Sequence, residues 1–584
     1  MKKLITITAL ILLVFTILPG CQSQPESSGP SPSNQPAAPV PGPSNASPPP
    51  LENVIWRLDY ATVKYDSRGN QLWVARYNGP GNNIDEANAL AVDDAGNVYV
   101  TGVSRGDRGN GIREDYTTIK YDGNGNELWV ARYGGPGDGD NTAYAVAVDG
   151  AGNVYVTGQS ISQEGYLDFA TIKYDSNGNE LWVARYNGPG NNVDGADALA
   201  VDASGNVYVT GNSRGSKGHD DYATIKYDSN GNQLWIARYD DGSSTDLAVD
   251  SAGSVYVTGF SRAGDDLHYA TVKYDSNGKR LWSSTYNAPE GGQDIAYALA
   301  VDNMGNVCVT GRSISANYDY ATIKYDSRGN EIWVARYNGP ADRGDQATSL
   351  AVDTDGNIYV TGRSDNENRD RDYTTLKYDN DGNQLWEARY SGPDKGDNMA
   401  EALAVDAEGN VYITGQSQGK NGDWDFATVK YDSAGKQLWT ARYNGPDNSL
   451  DRATSLAIDS EGNVYVTGSS GGTAGIPITT QSPWPDVPVY TDVTQVIKTG
   501  TGGEIAFGFE TGTRLGLGWD ETHDTNMVSL MDRELVMDQT GISGTTWFLF
   551  KVLEPGETRI TFIYGHGGIE RANDVKEFRI EIGE

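Results

Sequence analysis

One phrase is spelled out eight times, with small changes, between Asp59 and Tyr443; residues 221–239 give it as "DYATIKYDSNGNQLWIARY". Its tryptophan falls at positions 73, 129, 182, 235, 282, 333, 386 and 439, so successive copies lie 56, 53, 53, 47, 51, 53 and 53 residues apart. A unit of about fifty residues is too small to cover its own apolar faces. Copies of it must stack on one another, as a solenoid or a propeller. Each unit holds four short β-like runs, for example "ALAVD", "NVYVTG", "YATIKYD" and "LWIARY". Four strands per unit is the pattern of a propeller blade.

The turns support that order. "D-S-N-G-N" joins the last two runs and "D-x-x-G-N" joins the first two. Asp at the first position bonds the backbone ahead, and Gly at the fourth tolerates a positive φ, so both are tight hairpins. A calcium loop on Asp228, Asn230 and Asn232 would need an acidic residue eleven positions after Asp228, where Tyr239 stands. "ALAVD" is apolar on both faces and reads as the innermost strand, while "LWIARY", with its Arg, reads as an outer one. Seven complete blades then run from 89 to 443. Two strands at the front (60–77) and two at the back (455–468) remain, and together they make an eighth blade that leaves no sheet edge open. The expectation is an all-β chain whose residues 55–470 form an eight-bladed β-propeller, four strands per blade.

These units resemble the SBBP β-propeller repeats of bacterial surface and secreted proteins. The resemblance rests on Ala200-Val201-Asp202, on Gly205-Asn206-Val207-Tyr208-Val209-Thr210-Gly211, and on Leu234-Trp235 with its preceding turn; it covers roughly 59 to 470. It implies the propeller fold and names no ligand. The family's name implies seven blades, whereas eight copies stand here.

The chain starts "MKKLITITALILLVFTILPGC", two lysines before an apolar run of about sixteen residues. That is a secretory signal over 1–20. Its end, Leu18-Pro19-Gly20-Cys21, resembles the lipobox of bacterial lipoproteins, which implies cleavage before Cys21 and its lipidation. Several acyl chains on one residue hold a protein firmly to a membrane. The expected location is therefore the bacterial cell envelope, anchored and exposed outside the cytoplasm. Residues 21–54, rich in Pro and Ser, read as an extended tether. Cys308, the only other cysteine, sits where sister copies have Tyr and reads as a buried strand residue. Net charge is −34, from 79 acidic against 45 basic residues, which repels a phosphate backbone and argues against nucleic acid as partner.

The longer connections lie on the face opposite the tight turns, and they vary. Those after "VYVTG" offer Arg108, Tyr166, Arg214, His219, Arg371 and Trp424 as a recognition face for a protein or glycan, or are plain solvated loops. Those before the innermost strand carry Asp85, Asp140, Asp194, Asp294, Asp345, Asp397 and Asp451. Around a channel mouth these would attract Ca²⁺; as single residues each would cap its own turn, the reading that repetition favours. "GVSRG" (102–106), "GNSRG" (211–215), "GQSQG" (415–419) and "GSSGG" (468–472) match G-x-S-x-G, but loops follow them and no His keeps a repeat position. "D-S-N-G-N-Q-L-W" is similar to the Trp-docking motif of quinone-dependent eight-bladed propellers, though the usual Thr-Gly-Lys is missing. No cofactor is expected, and the chain reads as non-enzymatic, with a quinone- or metal-dependent enzyme as a distant alternative.

After a linker over 471–489 the composition shifts. Residues 490–584 contain alternating runs such as "GEIAFGFE" and "TRITFIYG", a length that suits a β-sandwich. The stretch resembles the chagasin-type inhibitors of papain-like cysteine proteases, which have an immunoglobulin-like fold. The framework matches at Gly503-Glu504-Ile505, Gly516 and Trp519, at Gly541, Gly544, Thr545 and Trp547, and at Gly556 with 560–564. The inhibitory loops depart from the family: Gly512-Thr513-Arg514-Leu515-Gly516-Leu517 replaces the Asn-Pro-Thr-Thr-Gly-Tyr pattern, and His566-Gly567-Gly568 replaces Arg-Pro-Trp, losing the Trp. The leading expectation is a lipid-anchored binding scaffold, and the alternative a surface-tethered inhibitor of papain-like proteases.

Overall fold

The computed structural model describes residues 58–471 except 82–83, 108–111, 138, 290, 394, 420–421, 447 and 449, and the backbone of strands between 489 and 583. Cys21 and the tether, Arg108, most of the linker, 513–517, Gly541, His566 and Gly567 lie outside the described residues. The chain divides into two compact units, the first including Ile112–Gly472 and the second Thr473–Glu584.

Eight four-stranded antiparallel sheets make the first unit. Blades 1 to 7 cover 85–133, 141–186, 194–239, 242–286, 295–337, 345–390 and 398–443, each passing from innermost to outermost strand in chain order. Blade 8 is shared. Strands Asp451–Ile458 and Val464–Gly471 supply its inner half, and Leu58–Tyr65 and Gln71–Tyr77 its outer half. The joint is an unbroken antiparallel register from Leu58↔Gly471 to Tyr65↔Val464. The innermost strands contact each other in succession and the last meets the first, so they form a closed inner wall.

The apolar alternation has a direct physical outlet. Tyr208, Val209, Ala223, Ile225 and their sisters are fully buried between neighbouring blades, where burial at about 25 cal/mol per Å² stabilises the stack. Trp182 of blade 2 lies over the hairpin of blade 3: its Nε1 donates to the Ser229 carbonyl at 3.1 Å. The contact recurs around the ring and closes on itself, Trp439 of blade 7 donating to Ser67 of blade 8 at 3.1 Å. Each hairpin is held by its own aspartate. Asp228 Oδ1 accepts the N–H of Asn230 and of Asn232 at 2.9 Å, leaving the turn, rather than a cation, as the carboxylate's partner.

Cys308 is buried, and burial pushes its thiol up to about 12. In the other blades the tyrosine at this position hydrogen-bonds an aspartate, as Tyr208 does with Asp202 at 3.0 Å. Where Cys308 replaces it, Lys324 approaches the corresponding Asp302 at 3.3 Å instead.

In the second unit two four-stranded sheets are described. One orders Val489–Tyr490, Glu504–Gly512, Ser543–Val552 and Val528–Met537; the other Ile497–Gly500, Asp574–Gly583, Gly556–Tyr564 and Trp519–His523. The first pair in each is parallel and the rest are antiparallel. Trp519 begins an edge strand and Gly544 pairs with Thr511.

Candidate binding surface

Residues that recur in nearly every blade are occupied in building the ring. The arginine of "ARY" is the clearest case. Arg238 donates from Nη1 to the Tyr186 hydroxyl of the preceding blade (2.6 Å) and to Ser213 Oγ (2.8 Å). Its Nη2 donates to the Ser213 carbonyl (3.0 Å) and to Asp221 Oδ2 (2.8 Å). The same clamp of arginine, aspartate, serine and preceding-blade tyrosine is centred on Arg76, Arg132, Arg185, Arg336, Arg389 and Arg442. The serines of the four G-x-S-x-G matches, Ser104, Ser213, Ser417 and Ser470, are all clamp serines bonded by an arginine.

The aspartates before the innermost strand serve the same frame. Asp85, Asp194, Asp294, Asp345 and Asp451 are buried, and each accepts an N–H from the preceding loop: Gly79, Gly188, Ala288, Gly339 and Gly445, at 2.6–2.8 Å. Asp140 and Asp397 stand one position earlier. They accept the N–H of Glu114 (3.1 Å) and Arg371 (3.0 Å), and Asn141 and Asn398 take the buried place. These carboxylates therefore face backbone instead of forming a ring of free ligands. Among the described residues, no group of three or more His, Cys, Asp or Glu is placed to hold a metal ion.

The described recognition candidates lie on the hairpins between second and third strands. Tyr166 is exposed at the tip in blade 2. Arg214 is paired with Asp220 across its hairpin at 2.9 Å, and His219 Nδ1 lies 3.9 Å from Asp241. Arg371 lies 4.0 Å from Asp365 and 3.8 Å from Asp397, and Trp424 bridges to Leu450 of the following loop. They come from blades 2, 3, 6 and 7 and do not converge on one point.

A set of residues that sequence reasoning missed varies most sharply from blade to blade. At one innermost-strand position stand Glu86, Thr142, Gly195, Ser243, Ile295, Gln346, Met399 and Arg452. Two residues on, at a β-bulge in each blade, stand Asn88, Tyr144, Asp197, Thr245, Tyr297, Thr348, Glu401 and Thr454. Four of these bulge residues stitch the wall. Asn88, Thr245, Thr348 and Thr454 bond the Ala143, Ala296, Ala400 and Ala87 carbonyls of the next blade at 2.8–3.0 Å. Asp197 and Glu401, in blades three and seven, cannot donate when ionised. Burial raises the Asp197 carboxyl well above its usual value. Burial likewise raises Glu401 to about 7, against the opposing pull of Arg452 and Arg363. The signal was present in the sequence as irregular letters inside the otherwise regular "xAxALAV" phrase.

The sector around Glu401 is cationic. Arg312 and Arg363 come from the second strands of blades 5 and 6, paired with Ile295 and Gln346, and Arg452 from the innermost strand of blade 8. Arg363 Nη2 donates to Gln346 Oε1 at 3.0 Å, and Arg452 lies 4.0 Å from Glu401.

The comparison with family models agrees with the repeat architecture. The model of the SBBP beta-propeller repeat matches residues 72–109, 128–164, 332–368 and 438–474. The uncharacterized WD repeat-containing protein L264 of Acanthamoeba polyphaga mimivirus is 21% identical over 523 residues, covering 68% of this chain and 36% of that protein. The regulatory protein FlaEY of Caulobacter vibrioides is 28% identical over 179 residues, 26% of this chain and 18% of its own. The chain thus spans well under half the length of either relative. Among solved structures, Sqt1 from Chaetomium thermophilum is 12% identical, covering 70% of this chain and 100% of its own with a TM-score of 0.43. The cysteine protease inhibitor EhICP2 from Entamoeba histolytica is 15% identical over 17% of this chain and 95% of its own, with a TM-score of 0.15.

Proposed function

We propose that this SBBP-repeat propeller is a non-enzymatic binding scaffold, lipid-anchored through Cys21 at the bacterial cell envelope, and that its inner wall takes a carboxylate-bearing ligand. The observation that carries the reading is the pair of Arg363 and Arg452 beside Glu401, with Arg312 on the blade before that of Arg363, at positions that the repeat leaves variable. Guanidinium groups are suited to carboxylates by charge and by their paired donors. In a chain of net charge −34, one cationic sector also concentrates anions locally. Protonation of Glu401 removes the negative group that Arg363 and Arg452 share, so an acidic ligand binds more tightly below about pH 7 than above it. The C-terminal unit is read as chagasin-like on its framework residues, and its two four-stranded sheets support that reading.

The test is a calorimetric titration of the purified chain with an oligoglutamate peptide and with an oligogalacturonate. Saturable binding of one of them is expected, tighter at pH 6 than at pH 8. The double variant Arg363→Ala, Arg452→Ala should weaken it about tenfold or more. Absence of binding by both ligands at low salt, or indifference to the double variant, would overturn the proposal.

A further inference from the structure

Seven of the eight seams carry the arginine clamp; the seam between blades 3 and 4 does not. There the arginine position is Thr285, the aspartate position is His268, and the buried Asp or Asn before the innermost strand is Gly242. The acceptors of the clamp remain. Tyr239 occupies the position of Tyr186 and Ser261 that of Ser213. In the preceding seam one Nη1 group serves both, at 2.6 and 2.8 Å. Here no described residue hydrogen-bonds to the Tyr239 hydroxyl or to Ser261 Oγ, although Ser261 is only 9% exposed. Neither oxygen is fully shielded from water, so an incoming guanidinium would replace water at both.

The same seam is opened by a shortened loop. Seven residues separate Tyr186 from Asp194, but only Asp240 and Asp241 separate Tyr239 from Gly242. A cavity of about 610 Å³ lies along the seam, lined by Ala237, Arg238, Tyr239, Asp240, Tyr274 and Arg280 among others; of this seam's clamp positions Tyr239 borders it, and Ser261 and Thr285 do not. Its size is that of a side-chain or small-ligand pocket. Negative charge is at hand: Asp240 lines the cavity, and the neighbouring Asp241 Oδ1 is buried without a hydrogen-bond partner. Of the two arginines at the cavity, Arg238 is committed to Asp221, Tyr186 and Ser213. Arg280 has its guanidinium carbon 5.7 Å from the centre of the Tyr239 ring, which shows that this ring face accepts a guanidinium.

We infer that the seam between blades 3 and 4 is a receptor for the guanidinium of an arginine side chain carried by another polypeptide. The incoming group repeats what the chain's own arginines do elsewhere, donating one fork arm to Tyr239 and Ser261 Oγ and the other to the Ser261 carbonyl. A lysine ammonium, a point charge on a flexible stem, does not reproduce that planar fork. Blade 4 is thus the partner-binding blade because it lacks the internal occupant that the other seams contain.

The proposal is tested by isothermal titration calorimetry of the full chain with acetyl-Gly-Arg-Gly-amide and its lysine counterpart. One arginine peptide per chain is expected, bound at least tenfold tighter than the lysine peptide. Thr285→Arg, which supplies the guanidinium internally, should abolish binding, and Tyr239→Phe should weaken it about tenfold. Equal affinity for the two peptides, no binding of either, or wild-type affinity in Thr285→Arg would overturn it. If Thr285→Arg does not fold, Tyr239→Phe decides, and an unchanged affinity in that variant overturns the assignment.

Discussion

Asp246 stands where most blades have alanine, and its carboxylate accepts the N–H of Leu247 and, across the seam, of Leu299, both at 2.8 Å. Burial nonetheless outweighs these bonds and pushes its carboxyl up to about 8. Asp85, Asp345 and Asp451 are raised to about 6 by the same cause. A carboxyl raised on folding stays protonated in the native state while the unfolded chain has already ionised. Its contribution is fully present below about pH 4 and is lost as pH rises through the native value. The ring is therefore expected to unfold at lower denaturant concentration at pH 8 than at pH 5. Asp246→Asn should flatten the part of that slope between pH 6 and pH 8, as read by urea midpoints at several pH values. A midpoint that rises from pH 5 to pH 8 would contradict the assignment. At this scale the sequence marked the repeated aspartates but not the odd ones: Asp197, Asp246 and Glu401 are single letters whose neighbours across the seam belong to another copy.

The hairpin is the element that couples one blade to the next. Gly231 sits at φ +85°, and a Cβ there would lie 2.7 Å from Cδ2 of Trp182 in the preceding blade. Two constraints meet at one residue, a left-handed backbone and a tryptophan stacked on it. Gly231→Ala is expected to lower stability by about 1–3 kcal/mol from the backbone term alone, and further through the displaced indole. Chemical unfolding of the variant measures the loss, and a change below about 0.5 kcal/mol would show that the indole contact is dispensable. The turn type was legible from "D-S-N-G-N", because its hydrogen bonds run within five residues. The stacked tryptophan was not, because it lies 49 residues earlier in the chain.

For the whole molecule, closure is the decisive contact. Leu58–Tyr65 lies between Val464–Gly471 and Gln71–Tyr77 in one sheet, so the ends of the repeat array complete a single blade. Deleting residues 58–77 would uncover the Val464–Gly471 edge and leave Trp439 without its Ser67 partner. The truncated chain is expected to self-associate, seen as concentration-dependent mass in light scattering, while the intact ring stays at one mass. The period, the four runs and the two orphaned half-blades were enough to predict an eight-membered ring, because strand alternation and turn chemistry act locally and repeat faithfully. Blade, count and closure were thus legible from the local pattern of the chain. What the repeated polar residues do follows from the packed ring alone, since the arginine clamp joins side chains about fifty residues apart on neighbouring blades, and 367 apart where Arg76 meets Tyr443. The tertiary structure also decided where the ring differs from itself: the cationic sector at Glu401 and the clampless seam at Thr285 exist only once neighbouring blades are set side by side.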